Sequence, residues 1–350
     1  MSYTLSPKAA GLVPYEPIAG EYRIRLDANE SYLPIPAKAQ EKLRQALAGA
    51  DYRRYPDPAA AGVCARFAEY YGVDPAFVTA GNGSDELISV IVNTFLQKGE
   101  RAMVLSPDFS MYSFYLALAE ADCVRLNKGE DFTVDPAQVL DTLHQSGCRM
   151  LLFSNPCNPT GQGLERRQVL EIVQGTDALV VLDEAYMDFW DDGQSLVREA
   201  AEYDNLIVLR TCSKMMGLAA LRLGFAVANP CLTRVLRAAK SPYNVNTLTQ
   251  LAGEAVLSYP DAIRQGRDEL LRSRDSLVES LSALTLREGE SLLPTCTNFV
   301  VLRTPRAKEL FEGLRERSII VRCFPGFLRI TTGSPQENAA LVDALRELLA

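Results

Sequence analysis

Lys214 is the residue of this chain whose surroundings most clearly suggest covalent chemistry. It lies in Arg210-Thr-Cys-Ser-Lys-Met-Met-Gly, directly after the apolar run 206–209, and Arg222 follows eight residues later. Thiol, thioether and aliphatic neighbours disfavour the charged ammonium, so we expect a nucleophilic amine that condenses with an aldehyde. Most lysines are instead solvated surface charges, and one lysine in an unusual setting is weak evidence by itself.

Composition places the chain among globular proteins. Its 350 residues are enough for about two domains. A net charge of -8 argues against nucleic acid or an anionic membrane as the main partner. No apolar stretch approaches the roughly 20 residues of a membrane-spanning helix, and no signal-peptide pattern is present. We therefore expect neither a nucleic-acid nor a membrane function.

Cysteine and histidine usage narrows the chemistry further. The eight cysteines are scattered without a Cys-x-x-Cys pair, which fits a reducing cytosol better than a disulfide framework. The only histidine is His144, in a polar segment at the predicted end of a helix. One surface histidine cannot supply a zinc site or a Ser-His-Asp triad. We predict a cytoplasmic protein without a metal site.

Strands and helices alternate in the middle of the chain. Six short apolar runs are separated in several places by segments of helical length. Nearly continuous apolar runs are typical of strands that are covered on both faces. Their alternation with helices predicts a mostly parallel sheet flanked by helices. The runs are 77–80, 101–105, 150–153, 178–182, 206–209 and 224–228.

The pattern changes after residue 246, which gives the domain prediction. A long charged helix over 261–284 is followed by short strands and helices that indicate a smaller α+β unit. We predict a large domain over 50–245 and a small domain over 246–350. Residues 1–49 form an N-terminal arm and part of the small domain, on which a helix near 36–48 is expected to pack.

Reactive or polar residues follow five of the apolar runs, and ligands collect at the carboxyl ends of parallel strands. Gly81-Asn-Gly-Ser opens a predicted helix, where Ser84 suits the N-cap and the helix end favours an anion such as phosphate. An ordinary strand-to-helix turn explains this motif equally well. A phosphate there would need a second positive group, and Arg222 is available.

The other strand ends offer groups that suit an aromatic ligand. Asp183 ends a buried run, and a buried acid must be paired with a partner such as a protonated pyridine nitrogen, an arginine or a helix end. Tyr186 and Asn158 can hydrogen-bond a phenolic oxygen, and Phe109 can stack on a ring. Turn chemistry or core packing would explain each singly. Together with Lys214 they are the parts that pyridoxal phosphate requires.

These motifs resemble those of a known enzyme family over nearly the whole chain. They are Leu26-Asp-Ala-Asn-Glu-Ser, Arg54-Tyr-Pro-Asp, Gly81-Asn-Gly-Ser-Asp-Glu, Asn155-Pro-Cys-Asn-Pro-Thr-Gly, Asp183-Glu-Ala-Tyr, Ser213-Lys with Leu221-Arg-Leu-Gly, and Leu328-Arg-Ile-Thr-Thr-Gly. The chain resembles the fold-type I, class I/II pyridoxal-phosphate aminotransferases, and most closely the histidinol-phosphate aminotransferases. This implies an aspartate-aminotransferase-like α/β fold, with a mostly parallel, helix-flanked sheet of seven strands and a smaller α+β domain.

The resemblance implies roles for the residues that match. Lys214 would form the Schiff base with pyridoxal phosphate and move the proton, and Asp183 would hold the pyridine nitrogen protonated. Tyr186 and Asn158 would bond the ring oxygen, and Phe109 would stack on the ring. The phosphate would be held by Gly83, Ser84, Asp85, Thr211, Ser213 and Arg222.

The resemblance also implies a dimer and a substrate side. Tyr55 would reach the cofactor phosphate of the neighbouring subunit, which implies a homodimer with its site at the interface. Arg329 would grip a substrate carboxylate by a two-pronged bond or take a substrate phosphate, helped by Arg322, Tyr15 and Asn29. Only six residues separate Arg322 from Arg329, where the family usually has a longer loop.

The predicted function is transamination between glutamate/2-oxoglutarate and histidinol phosphate/imidazole-acetol phosphate. One alternative is an aromatic or broad-specificity aminotransferase, and another is a threonine-phosphate-type decarboxylase of the same fold. A non-enzymatic ligand-sensing domain would normally be joined to a DNA-binding module, which the sequence does not show. A dinucleotide dehydrogenase would need the third glycine that Gly81-Asn-Gly-Ser lacks.

Overall fold

A computed structural model of the chain describes residues 3–14 and 18–349. These residues form a large sheet of seven strands and a small sheet of five, each flanked by helices. The strands of the large sheet are β2 (Val78–Gly81), β3 (Arg101–Ser106), β4 (Asp122–Asn127), β5 (Met150–Ser154), β6 (Leu179–Asp183), β7 (Leu206–Thr211) and β8 (Gly224–Ala228).

The large sheet is mostly parallel, as predicted. Its order is β2-β8-β7-β6-β5-β3-β4, and only β8 runs antiparallel to its neighbours. All six apolar runs are strands of this sheet. The seventh strand, β4, lies at the edge and is only partly buried, so it lacks the continuous apolar pattern.

Two hydrophobic clusters sandwich the large sheet. Along β6, the side chains of Val180 and Leu182 lie in one cluster, and those of Leu179 and Val181 lie in the other. Because both faces are covered, every position of the strand is buried, which explains the continuous apolar run. The covering helices are α3 (Ala61–Tyr71), α4 (Ser84–Phe95), α5 (Met111–Leu118), α6 (Pro136–Ser146), α7 (Arg166–Gln174) and α8 (Pro230–Ala239).

The small sheet has its own core. Its order is β1-β11-β12-β10-β9, and its buried side chains cluster with those of the surrounding helices. The strands are β1 (Ile24–Leu26), β9 (Ser291–Leu293), β10 (Phe299–Arg303), β11 (Ile319–Phe324) and β12 (Phe327–Thr331). The helices are α10 (Pro260–Ser282), α11 (Ala307–Glu316) and α12 (Pro335–Leu349). Among the helices of the described residues, none is long and apolar enough to cross a membrane.

The N-terminal segment contributes to both units. After α1 (Pro7–Ala10), strand β1 pairs with β11 of the small sheet, whereas α2 (Ala37–Ala48) packs against α9 (Thr247–Leu257). The buried Ala39 of α2 belongs to the hydrophobic cluster of the large sheet. The helix that was expected near 36–48 is α2, and its partner α9 lies within the range 246–350 that was predicted for the small domain. The boundaries at 49 and 245 stay predictions.

Removing the Phe225 ring tests the core of the large unit. Phe225 is fully buried on β8 and stacks on Phe67 with ring centroids 4.1 Å apart. We expect Phe225→Ala to lower the free energy of unfolding by about 3–5 kcal/mol, because a cavity remains. Phe114→Ala, which removes an exposed ring, should cost about 0.5 kcal/mol. Denaturant titration measures both, and equal losses would contradict the packing described.

Candidate active site

The predicted strand-end residues line one cavity of about 490 Å³. It lies beyond the carboxyl ends of β5, β6 and β7 and beside the beginning of α4, where ligands collect in open parallel sheets. The predicted residues that line it are Ser84, Asp85, Phe109, Asn158, Asp183, Tyr186, Thr211, Ser213, Lys214 and Arg222. The fold therefore brings together groups that are far apart in the chain.

The Lys214 amine is held at the wall of this cavity. Its Nζ donates a hydrogen bond to the carbonyl oxygen of Ala28 at 3.0 Å and lies 5.7 Å from the Tyr186 ring centroid. Met215 and Met216, which follow it, are buried. The Lys214 side chain thus lines the cavity between the Ala28 carbonyl and the Tyr186 ring, and the two residues that follow it are buried.

Asp183 is a buried carboxylate without a cationic partner in the described part of the chain. It accepts hydrogen bonds from the Tyr112 hydroxyl and the Ala185 N–H, both at 3.0 Å. Burial raises the pKa of Asp183 to about 6, although these two hydrogen bonds work against the rise and the charges of Asp108 and Asp85 add to it. The position favours a cationic ligand atom, which would stabilise the ionised carboxylate.

The beginning of α4 has the shape of an anion cradle. Gly83 is the N-cap residue and Ser84 is already helical, so the expectation of Ser84 at the N-cap was wrong. Gly83 adopts φ +89°, and a Cβ there would lie 2.8 Å from the Arg222 guanidinium. A Cβ on Gly224 would lie 2.2 Å from the Ser84 nitrogen. The beginning of α4 and the Arg222 guanidinium therefore approach each other closely, and Ser84 and Arg222 both line the first cavity.

Hydrogen bonds hold two neighbouring polar residues in place beside this cradle. The Asp85 carboxylate accepts from the Tyr115 hydroxyl at 3.0 Å, which holds the acid beside the cavity. Thr211 ends β7 and accepts from the Ser213 N–H at 3.1 Å, which fixes the turn that leads to Lys214.

A second cavity of about 540 Å³ adjoins the first and shares Phe109, Asn158, Tyr186 and Lys214 with it. Arg329 lies buried in its wall and donates to the Asn158 side-chain oxygen and to the Asp27 carbonyl oxygen.

The short segment between Arg322 and Arg329 is a tight hairpin. Pro325 and Gly326 connect β11 to β12, and Arg322 pairs directly with Arg329 across the two strands. Both arginines line the second cavity. The hairpin therefore presents two guanidinium groups on neighbouring strands, which suits an anionic substrate.

Asn29 joins the two units at the site. Its side-chain nitrogen donates to the Tyr186 hydroxyl at 2.9 Å, and its backbone N–H donates to Thr331 Oγ1 at 2.9 Å. Its carbonyl accepts from the Asn298 side chain at 3.1 Å. Asn29 thus links a residue after the large sheet to two residues of the small unit, and it lines the second cavity.

Two predicted site residues lie elsewhere. Tyr55 is 80% exposed and stacks on Tyr243 with ring centroids 4.6 Å apart, outside both cavities. Its predicted reach to a neighbouring subunit stays a prediction. Tyr15 lies outside the described residues.

Sequence reasoning missed several residues that support the site. Tyr112 bonds Asp183, and Asp108 accepts from Ser154 behind Phe109. Asp108 lies just after β3 in Pro107-Asp-Phe, but this position alone did not indicate what its carboxylate binds. Nothing in the sequence connects Tyr112 to Asp183, because the pairing depends on how α5 packs beside β6.

Comparison with known proteins finds relatives that match nearly the whole chain. Residues 22–345 match the family model of the aminotransferases of class I and II. The chain is 38% identical over 342 residues to a histidinol-phosphate aminotransferase of Clostridium kluyveri, covering 96% of each chain.

Two solved structures share the fold. The histidinol-phosphate aminotransferase of Sinorhizobium meliloti in complex with pyridoxal-5'-phosphate superposes with a TM-score of 0.88 at 23% identity, covering 99% of this chain and 97% of that one. The aspartate aminotransferase of Thermus thermophilus with maleate superposes with a TM-score of 0.83 at 21% identity, covering 99% and 100%. The aspartate-aminotransferase-like fold class is confirmed.

The buried Asp183 gives the ligand-free protein a specific pH dependence. Its pKa is raised from 3.8 to about 6, so its contribution to stability is fully present below 3.8 and is lost as pH rises through about 6. Relative to Asp183→Asn, we expect the free energy of unfolding of the unsubstituted protein to fall by about 1.5 kcal/mol between pH 5 and pH 8. Denaturant titrations at both pH values measure this. A difference between the proteins that does not change with pH would contradict it.

Proposed function

Since the chain belongs to the class I and II aminotransferases, we propose that it uses pyridoxal phosphate to transfer an amino group between glutamate/2-oxoglutarate and histidinol phosphate/imidazole-acetol phosphate. The observation that carries the proposal is the buried Asp183 carboxylate, which has only neutral donors in the described part of the chain. The substrate assignment is supported by the relative from Clostridium kluyveri.

The residues at the first cavity fit pyridoxal phosphate. A protonated pyridine nitrogen supplies the positive partner that Asp183 favours. The cradle of Gly83, Ser84 and Arg222 suits a phosphate dianion, because a Cβ at Gly83 would occupy the space beside the guanidinium. Thr211, Ser213 and the backbone of Asp85 complete the phosphate side, whereas Tyr186 and Asn158 suit the ring oxygen and Phe109 suits the ring face.

When bound, pyridoxal phosphate supplies an aldehyde carbon and a protonated ring that withdraws electrons from the substrate's Cα. Lys214 is the amine positioned to bind that aldehyde and then to take and return the Cα proton. Ala28 and Tyr186 orient its Nζ at the cavity wall. Asp183 would hold the ring nitrogen of the bound cofactor protonated, because a buried carboxylate and a cation stabilise each other.

Arg329 and Arg322 bring positive charge to the second cavity, where the substrate is proposed to bind. Both guanidinium groups line the second cavity, and Arg329 is within 5.5 Å of the Phe299 ring centroid and 5.8 Å of that of Phe324. Glutamate carries a second carboxylate and histidinol phosphate carries a phosphate, so one guanidinium site serves both substrates. Asn29, which donates to the Tyr186 hydroxyl, lines the same cavity. Tyr15 is proposed as a further substrate-binding residue.

A homodimer in the cytoplasm completes the proposal. The Tyr55 and Tyr243 side chains are both exposed, and their rings stack on each other. If a partner subunit covered these rings, Tyr55 would reach the cofactor phosphate of that partner subunit. All eight cysteines are free thiols, which suits a reducing compartment.

Replacing Lys214 tests the cofactor chemistry. We expect Lys214→Ala to reduce the transamination rate roughly a thousandfold or more, because the proton-transferring amine is lost. Borohydride reduction of the unsubstituted protein with pyridoxal phosphate should attach the cofactor at position 214, detected by peptide mass spectrometry. Lys98→Met, which removes an exposed lysine, should leave rate and labelling unchanged. Absence of an adduct at position 214 would sink the proposal.

Acceptor preference tests the substrate assignment. With glutamate as donor, we expect conversion of the bound cofactor to its amino form, followed by faster turnover of imidazole-acetol phosphate than of phenylpyruvate. Arg329 and Arg322 favour the dianionic phosphate. A coupled 2-oxoglutarate assay compares the two acceptors. Faster turnover of phenylpyruvate would favour the aromatic aminotransferase, and carbon dioxide release from threonine phosphate without amino transfer would favour the decarboxylase.

A further inference from the structure

A buried polar cluster lies next to Phe109, and its member Asp108 lines the second cavity. Lys128 Nζ is 2.8 Å from Cys157 Sγ and 3.8 Å from an Asp108 carboxylate oxygen. The side chains of Lys128 and Asp108 are only 4% and 2% exposed. Neither the family motifs nor the predicted site include Lys128 or assign a role to Asp108.

Asp108 fixes two walls of the cavity at once. One carboxylate oxygen accepts from the Phe109 N–H at 2.8 Å and from the Ser154 hydroxyl. The other accepts from the Ser154 N–H at 3.2 Å. The Ser154 oxygen in turn accepts from the Asn158 N–H at 3.2 Å. The backbone of the ring-stacking Phe109 and that of Asn158 are therefore held by one carboxylate.

Lys128 offsets part of the cost of ionising this buried carboxylate: burial raises the pKa of Asp108, and the nearby Lys128 charge works against that rise. Burial opposes the ammonium, but Cys157 and Asp108 outweigh it, and the pKa of Lys128 is raised. A buried carboxylate whose cation is removed becomes protonated or draws in water. Either change would disturb the set of hydrogen bonds that Asp108 accepts.

We propose that Asp108 is a positioning residue for the transamination site, and that Lys128 is the counter-charge that keeps its hydrogen-bond acceptors in place. The inference rests on the proposed function, because Phe109 and Asn158 are the residues proposed to face the cofactor ring. The proposal requires that the residue at position 108 accept hydrogen bonds. Neutralising the charge of Lys128 would not by itself require this.

Two neutral double variants separate positioning from charge balance. Both Asp108→Asn/Lys128→Met and Asp108→Ala/Lys128→Met remove the ion pair, but only the first keeps an acceptor oxygen at position 108. We expect the asparagine variant to keep kcat within about threefold of the unsubstituted enzyme. The alanine variant should lose roughly tenfold to a hundredfold, because the ring-facing residues shift.

A second measurement reports the cofactor directly. The pH midpoint of the visible absorbance of bound pyridoxal phosphate is titrated without substrate. We expect the alanine double variant to shift this midpoint and the asparagine double variant to retain it. Lys128→Met alone, which leaves the carboxylate uncompensated, should lower the melting temperature by roughly 5 °C.

The exposed pair Lys98 and Glu120, whose charged atoms lie 3.2 Å apart, provides the matched control. Lys98→Met/Glu120→Ala should change none of the three readouts. If the alanine and asparagine double variants show the same kcat and the same midpoint, Asp108 has a structural role only and the inference is overturned. Absence of cofactor absorbance in the unsubstituted protein would instead overturn the proposed function itself.

Discussion

A carboxylate at the end of a buried strand is the constraint around which the site is arranged. Asp183 occupies the last position of β6, where both faces of the sheet are covered, so water cannot stabilise its charge. Tyr112 and the Ala185 N–H offset part of that cost, but both are neutral donors. In the proposed function, a cationic ring would supply the rest. The proposed phosphate cradle at Gly83 would then hold the other end of the ligand.

The segment that follows β1 connects the remaining parts. Ala28 accepts from Lys214, Asn29 donates to Tyr186, and Asp27 accepts from Arg329. Three residues in a row thus contact the amine, the phenol and the substrate-side arginine. Since β1 pairs with the small sheet, this segment sets the position of the small unit relative to the end of the large sheet. The second cavity is therefore assembled from both units, whereas the first is lined by residues of the large unit.

Much of this could be read from the sequence, and the exceptions have physical causes. Strands buried on both faces leave continuous apolar runs, so β6 and β7 were predictable, whereas the partly exposed edge strand β4 was not. Residues directly after such strands, such as Asp183, were found because parallel strands end together. The contact of Lys214 with Ala28 spans 186 residues, and the bond of Tyr112 to Asp183 depends on helix packing. Neither leaves a local pattern. Ser84 was misplaced because glycine can occupy an N-cap without offering a side chain.

Asn158 is where the cofactor side and the substrate side meet. An amide side chain both donates and accepts, and here its oxygen accepts from Arg329. Its nitrogen is then the group that suits the cofactor's ring oxygen. In the proposed function, a substrate anion that binds Arg329 would compete with Asn158 for the same guanidinium. Because the Asn158 N–H donates to the Ser154 hydroxyl oxygen, this turn holds the amide at the wall that the two cavities share.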